Sequence, residues 1–302
     1  MDSLDTLRIV LRVAELGGFA RAAGSLDLSK AAVSIAVQRL EASLGTQLFH
    51  RTTRRVQLTA DGQAFYERAR DLLDDMDELH GMFQRDGGAL KGRLRVDMPA
   101  GMASMFVIPR LPEFLGRHPE LSIEISGTDR RVDVVREGFD CVVRVGTLED
   151  SSLVARPLGA MRLINCASPG YLRRHGVPRT INDLRDHRLV HYASTLGQRP
   201  LGFEYPDGAG HAAMPMAGAV TVNNGAAYEA AAVAGLGIIQ APATAMQARL
   251  AAGELVEVLP DFRPPAMPVT LLYAQRRNLP RRVRVFMDWI AQVLAPHLEP
   301  VS

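Results

Sequence analysis

Two cysteines, one tryptophan and a near balance of charge, 35 Lys and Arg against 33 Asp and Glu, are what this 302-residue chain offers in place of strong compositional signals. Cys141 and Cys166 have no Cys-x-x-Cys spacing and no histidine cluster beside them. That argues against a zinc knuckle or a dithiol redox motif, and two buried, reduced thiols are the economical reading. No apolar run approaches the ~18 residues of a membrane span, and the first residues lack the basic-then-apolar order of a signal peptide. The expectation is a cytoplasmic protein with no membrane partner. Catalytic signatures are equally sparse. Ser104, Ser151 and Ser168 lack a Gly-x-Ser-x-Gly elbow or a nearby base, and neither Gly-rich phosphate loop occurs. His187 and His191 stand four apart in an extended run, where such positions lie ~13 Å apart, so a metal site is not expected. Met98, Met102 and Met105 read as core packing or a pocket wall. Neither an enzyme nor a resident cofactor is indicated.

What is present is uneven. Apolar residues make up 47% of the chain and charged residues 23%, as in ordinary globular proteins, and the length suits two or three domains. Residues 1–58 carry 8 Lys and Arg against 5 Asp and Glu, whereas residues 59–88 carry 3 against 8. A basic tip followed by an acidic segment suggests that only the tip meets a polyanion.

That tip has a recognisable plan. Leu4, Leu7, Leu11 and Ala14 make residues 3–15 an amphipathic helix, stopped by Gly17-Gly18. Phe19, Ala22, Ala23 and Leu26 form a second helical set, Asp27-Leu28-Ser29 breaks it, and Val33, Val37 and Leu40 resume it. Ser29 is placed to cap the third helix. Small residues at 22, 23, 32 and 36 let two helices cross closely, with Lys30, Ala31, Ser34, Ile35 and Gln38 on the outer face. This is the form of a helix-turn-helix with a presented recognition helix, and double-stranded DNA is its expected partner. Residues 48–58 suit a short two-stranded wing whose Arg51, Thr52, Thr53, Arg54 and Arg55 grip phosphates beside the helix. The candidate DNA-binding set is therefore Ser29, Lys30, Ala31, Ser34, Ile35, Gln38, Arg39 and these five wing residues.

From Thr59, a candidate N-cap, to Gly87-Gly88, Phe65, Ala69, Leu72, Met76, Leu79 and Phe83 step by fours and threes. They form either the seam of a coiled coil between two chains or the inner face of a helix lying on its own domain. Beyond residue 89, strand and helix signals alternate as in a parallel sheet with crossover helices. Strands are expected at 94–96, 121–125, 141–145, 163–166, 220–222, 237–239 and 268–274. Helices are expected at 101–117, 131–137, 168–175, 223–234, 244–252 and 280–298, and residues 194–218 read as loop or irregular strand. Two α/β lobes imply a cleft between them.

The elements Phe19-Ala-x-Ala-Ala-x-x-Leu, Leu28-Ser-x-x-Ala-Val-Ser34, Leu40-Glu41-x-x-Leu44-Gly45-x-x-Leu48-Phe49-x-Arg51-x-x-Arg54 and Leu58-Thr59-x-x-Gly62 resemble the winged helix-turn-helix of LysR-type transcriptional regulators. Ile35 and Ala36 depart from it, standing where many relatives have arginine and glutamine. Gly127-Thr-Asp-Arg130-Arg-Val-Asp133, Arg144-x-Gly146, Ala167-Ser-Pro-x-Tyr-Leu172 and Ala234-Gly-Leu-Gly237 resemble the effector domain of one branch of that family. The resemblance implies an N-terminal winged helix-turn-helix (1–58), a linker and dimerisation helix (59–88), and a C-terminal α/β, two-lobed, periplasmic-binding-protein-like (type 2) domain (89–302). Lobe 1 would take about 89–162 and 267–302, and lobe 2 about 163–266. It further implies a sequence-specific regulator that dimerises, often tetramerises, meets RNA polymerase and responds to a small-molecule effector. The implied effector set is Ala100, Gly101, Thr128, Asp129, Arg130, Arg144, Gly146, Ser168, Asn223, Asn224 and Gln240. Arg130 and Arg144 suit either an acidic ligand or structural ion pairs with Asp133, Asp140 or Glu124. A solute-binding protein and a ligand-independent repressor stay open as alternatives. Arg54→Ala and Arg55→Ala are each expected to weaken binding to all duplex DNA alike and to lower the salt slope by about one, measured by titration at several salt concentrations.

Overall fold

The computed structural model describes residues 3–51, 56–81, 89–130, 132–134, 137–148, 152–198, 201–208, 210–274 and 279–300. The chain divides into two compact units, Met1–Arg93 and Leu94–Ser302.

In the first unit, α1 (Ser3–Leu16), α2 (Phe19–Ser25) and α3 (Lys30–Leu44) are followed by strands β1 (Phe49–Arg51) and β2 (Val56–Leu58) and by α4 (Ala60–Gly81). The two strands pair antiparallel, with Phe49 opposite Leu58. The three helices start and stop where local chemistry dictates. Ser29 Oγ accepts from the Ala32 N–H at 3.1 Å, and α3 ends on Gly45 at φ 70°, a left-handed cap suited to glycine. Ile9, Val10, Val13, Phe19, Ala22, Ala23, Val33, Ala36, Val37, Leu48 and Phe49 form one buried cluster. The buried face of α1 is thus wider than the Leu4-Leu7-Leu11-Ala14 stripe, because α1 packs against α2, α3 and α4 together.

One turn ties the wing to both long helices. Glu41 Oε1 accepts from the Leu48 and Phe49 N–H groups at 2.8 and 3.2 Å, so the end of α3 caps the start of β1. The Leu48 carbonyl accepts from Thr59 N at 3.0 Å. Thr59 Oγ1 in turn accepts from Gly62 N at 2.9 Å, making it the N-cap of α4. A Cβ on Gly62 would lie 1.9 Å from the Leu48 oxygen, so only glycine lets α4 begin there.

β3 (Lys91–Met98) runs across the boundary into the second unit, followed by a helical run made of α5 (Ala100–Met102), a π turn (Ala103–Val107), a 3-10 turn (Ile108–Arg110) and α6 (Leu111–Arg117). One regular helix was expected over 101–117. Pro109 and Pro112 lack the N–H groups that would continue it. Then come β4 (Glu120–Gly127), β5 (Cys141–Val145), β6 (Leu153–Met161), β7 (Leu163–Ala167), α7 (Pro169–His175), β8 (His191–Tyr192), β9 (Phe203–Asp207), β10 (Gly210–Met214), β11 (Thr221–Val222), α8 (Gly225–Val233), β12 (Ile239–Pro242), α9 (Ala243–Ala251), β13 (Val256–Glu257), β14 (Met267–Ala274) and α10 (Arg281–Leu294).

One lobe is a five-stranded sheet in the order β4-β3-β5-β14-β6, the other a three-stranded sheet β12-β7-β13. The expected all-parallel arrangement is corrected. β3 and β5 run parallel, but β14 is antiparallel to both β5 and β6, and β7 is antiparallel to both its neighbours. Strands that return from another lobe arrive without a crossover helix to set their direction. The helix expected over 131–137 is absent among its described residues. Glu137 N–H to Asp133 O (2.8 Å) closes a single turn, and the Glu137 carboxylate takes the Asp133 N–H instead of leaving it to a helix. Within the Gly- and Pro-rich stretch 194–218, β9 and β10 form a hairpin whose Phe203 is fully buried. α10 lays Phe286 and Trp289 against Phe114 of α6, with ring centroids 5.6 and 4.8 Å away.

Gly62→Ala is expected to cost about 2 kcal/mol or more, because backbone must move. Gly24→Ala, with nothing within 4 Å of the added carbon in exposed α2, is expected to gain up to about 1 kcal/mol from helix propensity. Urea midpoints of the two variants check both signs.

Candidate nucleic-acid interface and effector cleft

α3 divides cleanly into two faces. Val33, Ala36 and Val37 enter the core, while Lys30, Ala31, Ile35, Gln38 and Arg39 are exposed and Ser34 is half-buried beside them. Ile35 and Ala36, paired in the sequence as departures, separate here. Ile35 is 48% exposed, whereas Ala36 is 7% exposed and faces inward. Only position 35 thus changes the outer surface, putting a branched apolar side chain among polar ones. Such a face can meet a thymine methyl, with Gln38 and Lys30 as the hydrogen-bonding side chains. Ser29 is engaged as the cap. Arg51 ends β1 of the wing, and Thr52, Thr53, Arg54 and Arg55 lie outside the described residues.

Along α4 the proposed seam splits. Phe65 packs against the core of its own module and Ala69 is buried. Met76 is half-buried, and Leu72 and Leu79 are 53% and 50% exposed. Phe83 lies outside the described residues.

In the second unit the cleft candidates fall into two groups. Those on the five-stranded lobe cluster at one edge. Ala100 and Gly101 open α5, and an added Cβ on Gly127 would touch Ala100 at 3.4 Å. The Thr128 N–H bonds Met98 O, and Thr128 Oγ1 accepts from the Arg130 N–H. Arg130 clamps Glu137 through two bonds of 3.1 and 2.8 Å. Arg144 Nη1 lies 2.6 Å from Oδ2 of the fully buried Asp97. Arg130 thus pairs with Glu137 and Arg144 with Asp97 inside the lobe. Arg95 takes Glu124 at 3.1 Å and, through its backbone N–H, Asp140. Gly146 follows β5 at φ 99°.

On the other lobe, Asn224 caps α8 by accepting from Ala227 N at 2.9 Å, with Asn223 beside it. Ser168 caps α7 through Tyr171 N, and Gln240 joins Asn165 and both backbone groups of Glu204. Ser168 and Gln240 therefore serve the interior of their own lobe. Between lobes, Asp129 Oδ2 accepts from Gly225 N at 3.0 Å, and its carboxylate stands near the Tyr192 hydroxyl. Burial first, then the Asp129 charge, pushes that hydroxyl above its ordinary range.

Two family models match the chain: the bacterial regulatory helix-turn-helix protein, lysR family, over residues 4–63, and the LysR substrate binding domain over residues 87–295. The chain belongs to the LysR family of transcriptional regulators. It is 46% identical to the HTH-type transcriptional regulator YhjC of Escherichia coli K12, over 99% of the chain and all of that protein. It is 34% identical to an HTH-type transcriptional repressor of Pseudomonas aeruginosa, over 99% of the chain and 94% of that protein. Among solved structures, the Vibrio cholerae virulence activator AphB matches at TM-score 0.57 and 27% identity, over 98% of this chain and all of that one. CrgA, a LysR-type regulator of Neisseria meningitidis, matches at 0.58 and 28%, over 97% and 98%. The LysR chain is accordingly a DNA-binding transcriptional regulator with an effector-binding domain, and no helix among its described residues is long and apolar enough to cross a membrane.

Two neighbours of the cleft candidates escaped the sequence reading: Tyr192 and Asp97 carry no motif, whereas Glu137 falls within the stretch Gly127–Asp140 that resembles the family. Asn165, buried between the apolar residues of β7, did stand out in an otherwise hydrophobic run, and it donates to the Leu259 and Phe262 carbonyls at 3.1 and 2.9 Å. His187, weighed as a metal ligand, is buried against the Tyr171 hydroxyl at 3.2 Å. Cys141 and Cys166 are both buried, and burial pushes the Cys166 thiol up to about 12.

Burial pushes the Asp97 carboxyl above the usual carboxylate range while Ser126 and Arg144 pull it down. Arg144→Met removes that opposing charge and raises it further. A carboxyl with a higher pKa folded than unfolded favours the fold at low pH and loses that favour as pH rises through the folded value. The variant is therefore expected to lose about 3 kcal/mol at neutral pH and regain part of it on acidification towards the ordinary Asp value of about 3.9. Adding Asp97→Asn should abolish the pH dependence. Urea midpoints across that range measure both.

Proposed function

We propose that this LysR-family protein acts in the cytoplasm as a homodimer, paired further into a tetramer, that reads two half-sites of duplex DNA. Residues 1–58 would be the reader, 59–88 the joining helix and 89–302 the sensor. The exposed face of α3, with Lys30, Ala31, Ser34, Ile35, Gln38 and Arg39, would enter the major groove, and the wing would hold phosphates. A small molecule between the lobes would favour one lobe arrangement and so alter the spacing of the paired readers or their contact with RNA polymerase. No catalytic step enters this scheme.

The observation that carries the dimer is the pair Leu72 and Leu79 on α4. They are seven residues apart, hence on one helical face, and both are half exposed where Phe65 and Ala69 are already taken by their own module. Two leucines at heptad spacing, each about half exposed among the described residues, fit a second copy of the same helix.

The test uses the full chain and DNA fragments that it retains from its own genome. Leu72→Asp with Leu79→Asp is expected to lower affinity for such fragments about 100-fold, the avidity of a second half-site, and to leave affinity for an isolated half-site unchanged. Equal affinity of variant and parent for the full fragments would remove α4 from the interface.

A further inference from the structure

Hydrogen bonds around the candidate cleft sort by whether both partners sit on one lobe. Arg130 with Glu137 and Arg144 with Asp97 are internal to the five-stranded lobe, and Gln240 with Asn165 is internal to the three-stranded one. Rigid movement of the lobes leaves these pairs intact, so none of them distinguishes one arrangement from another. Asp129 is different. It lies just after β4 on the five-stranded lobe, yet its carboxylate accepts from Gly225 N–H, the first residue of α8 on the other lobe, at 3.0 Å.

Neither lobe needs this contact for its own fold. α8 is capped from within by Asn224, whose side chain takes the Ala227 N–H. Tyr192 packs edge-on against Tyr228, with centroids 5.4 Å apart, without help from Asp129. A rigid movement of one lobe away from the other would break the contact and leave both folds intact, which is the property that lets an interaction bias a two-state equilibrium.

We propose that Asp129 is an interlobe latch, whose bond to Gly225 holds the lobes in the arrangement described and must open when an effector changes it. This rests on reading the two-lobed unit as the sensor, and on no particular effector. A hydrogen bond from a backbone N–H to a carboxylate is worth about tenfold in the ratio of closed to open forms.

Hydrogen exchange on the intact full-length protein, with neither DNA nor effector added, reads the latch directly. In Asp129→Ala the Gly225 amide, followed in the segment 223–228, is expected to exchange about tenfold faster. Asp129→Asn, which keeps an acceptor without the charge, should show a smaller increase. Amides of β7 and α10 should be unchanged in both. Unaltered exchange at Gly225 in Asp129→Ala overturns the latch, and so does an acceleration shared equally by α10, which would make Asp129 a contributor to global stability. The sensor reading fails by a different observation, a DNA footprint from the wild-type chain that no small-molecule pool alters, and that result leaves the exchange data standing.

Discussion

The carbonyl oxygen of Leu48 sits where three elements of the reader meet, and its surroundings decide how they are joined. It takes the Thr59 N–H, it leaves no room for a side chain at residue 62, and the amide of its own residue is held by Glu41. The recognition helix, the wing and the long helix are thereby joined through one buried peptide. Since backbone cannot be repacked as a side chain can, the direction in which α4 leaves the module is set by covalent geometry rather than by adjustable contacts. A reader whose partner is carried on α4 depends on that rigidity.

The sensor is built on the opposite principle. Several polar groups beside its cleft are paired within one lobe, carboxylate to guanidinium and amide to carbonyl. The buried Asp97–Arg144 pair is costly to desolvate and contributes little net stability compared with an apolar alternative. What it provides is a fixed floor beneath the loop that carries Asp129. Lobes paired internally in this way are free to exchange the bonds between them, and a regulatory equilibrium needs that freedom.

Much of this was legible in the residues. The helix-turn-helix, its Ser29 cap, its Gly45 stop and the Thr59 start of α4 follow from local rules that act within one turn, and they stand where local chemistry puts them. Strand direction was not legible, because whether β14 runs with or against β5 is decided by a chain that leaves for the other lobe and returns. β6 went unread since Arg156, Pro157 and Gly159 interrupt its alternation, and the β9–β10 hairpin was hidden by Gly202, Pro206 and Gly208. The cleft was the least legible. Arg130 and Arg144 suited either an acidic ligand or internal ion pairs; Glu137 stood in the same stretch as Arg130 without being named as its partner, and Asp97 meets Arg144 only through tertiary packing.

The place of β14 in its sheet also bears on how the chain is made. β6 has β14 as its only neighbour in the five-stranded sheet, and β5 needs it on one side, yet residues 267–274 follow the whole of the other lobe. During synthesis from the N-terminus, the three-stranded lobe is complete while β6 still waits unpaired and β5 shows an open edge. Such edges are templates for pairing with other chains, and contacts this distant in sequence form slowly. The strand that completes the five-stranded sheet is thus the last to arrive, and until it does the edges of β5 and β6 are open to pairing with other chains.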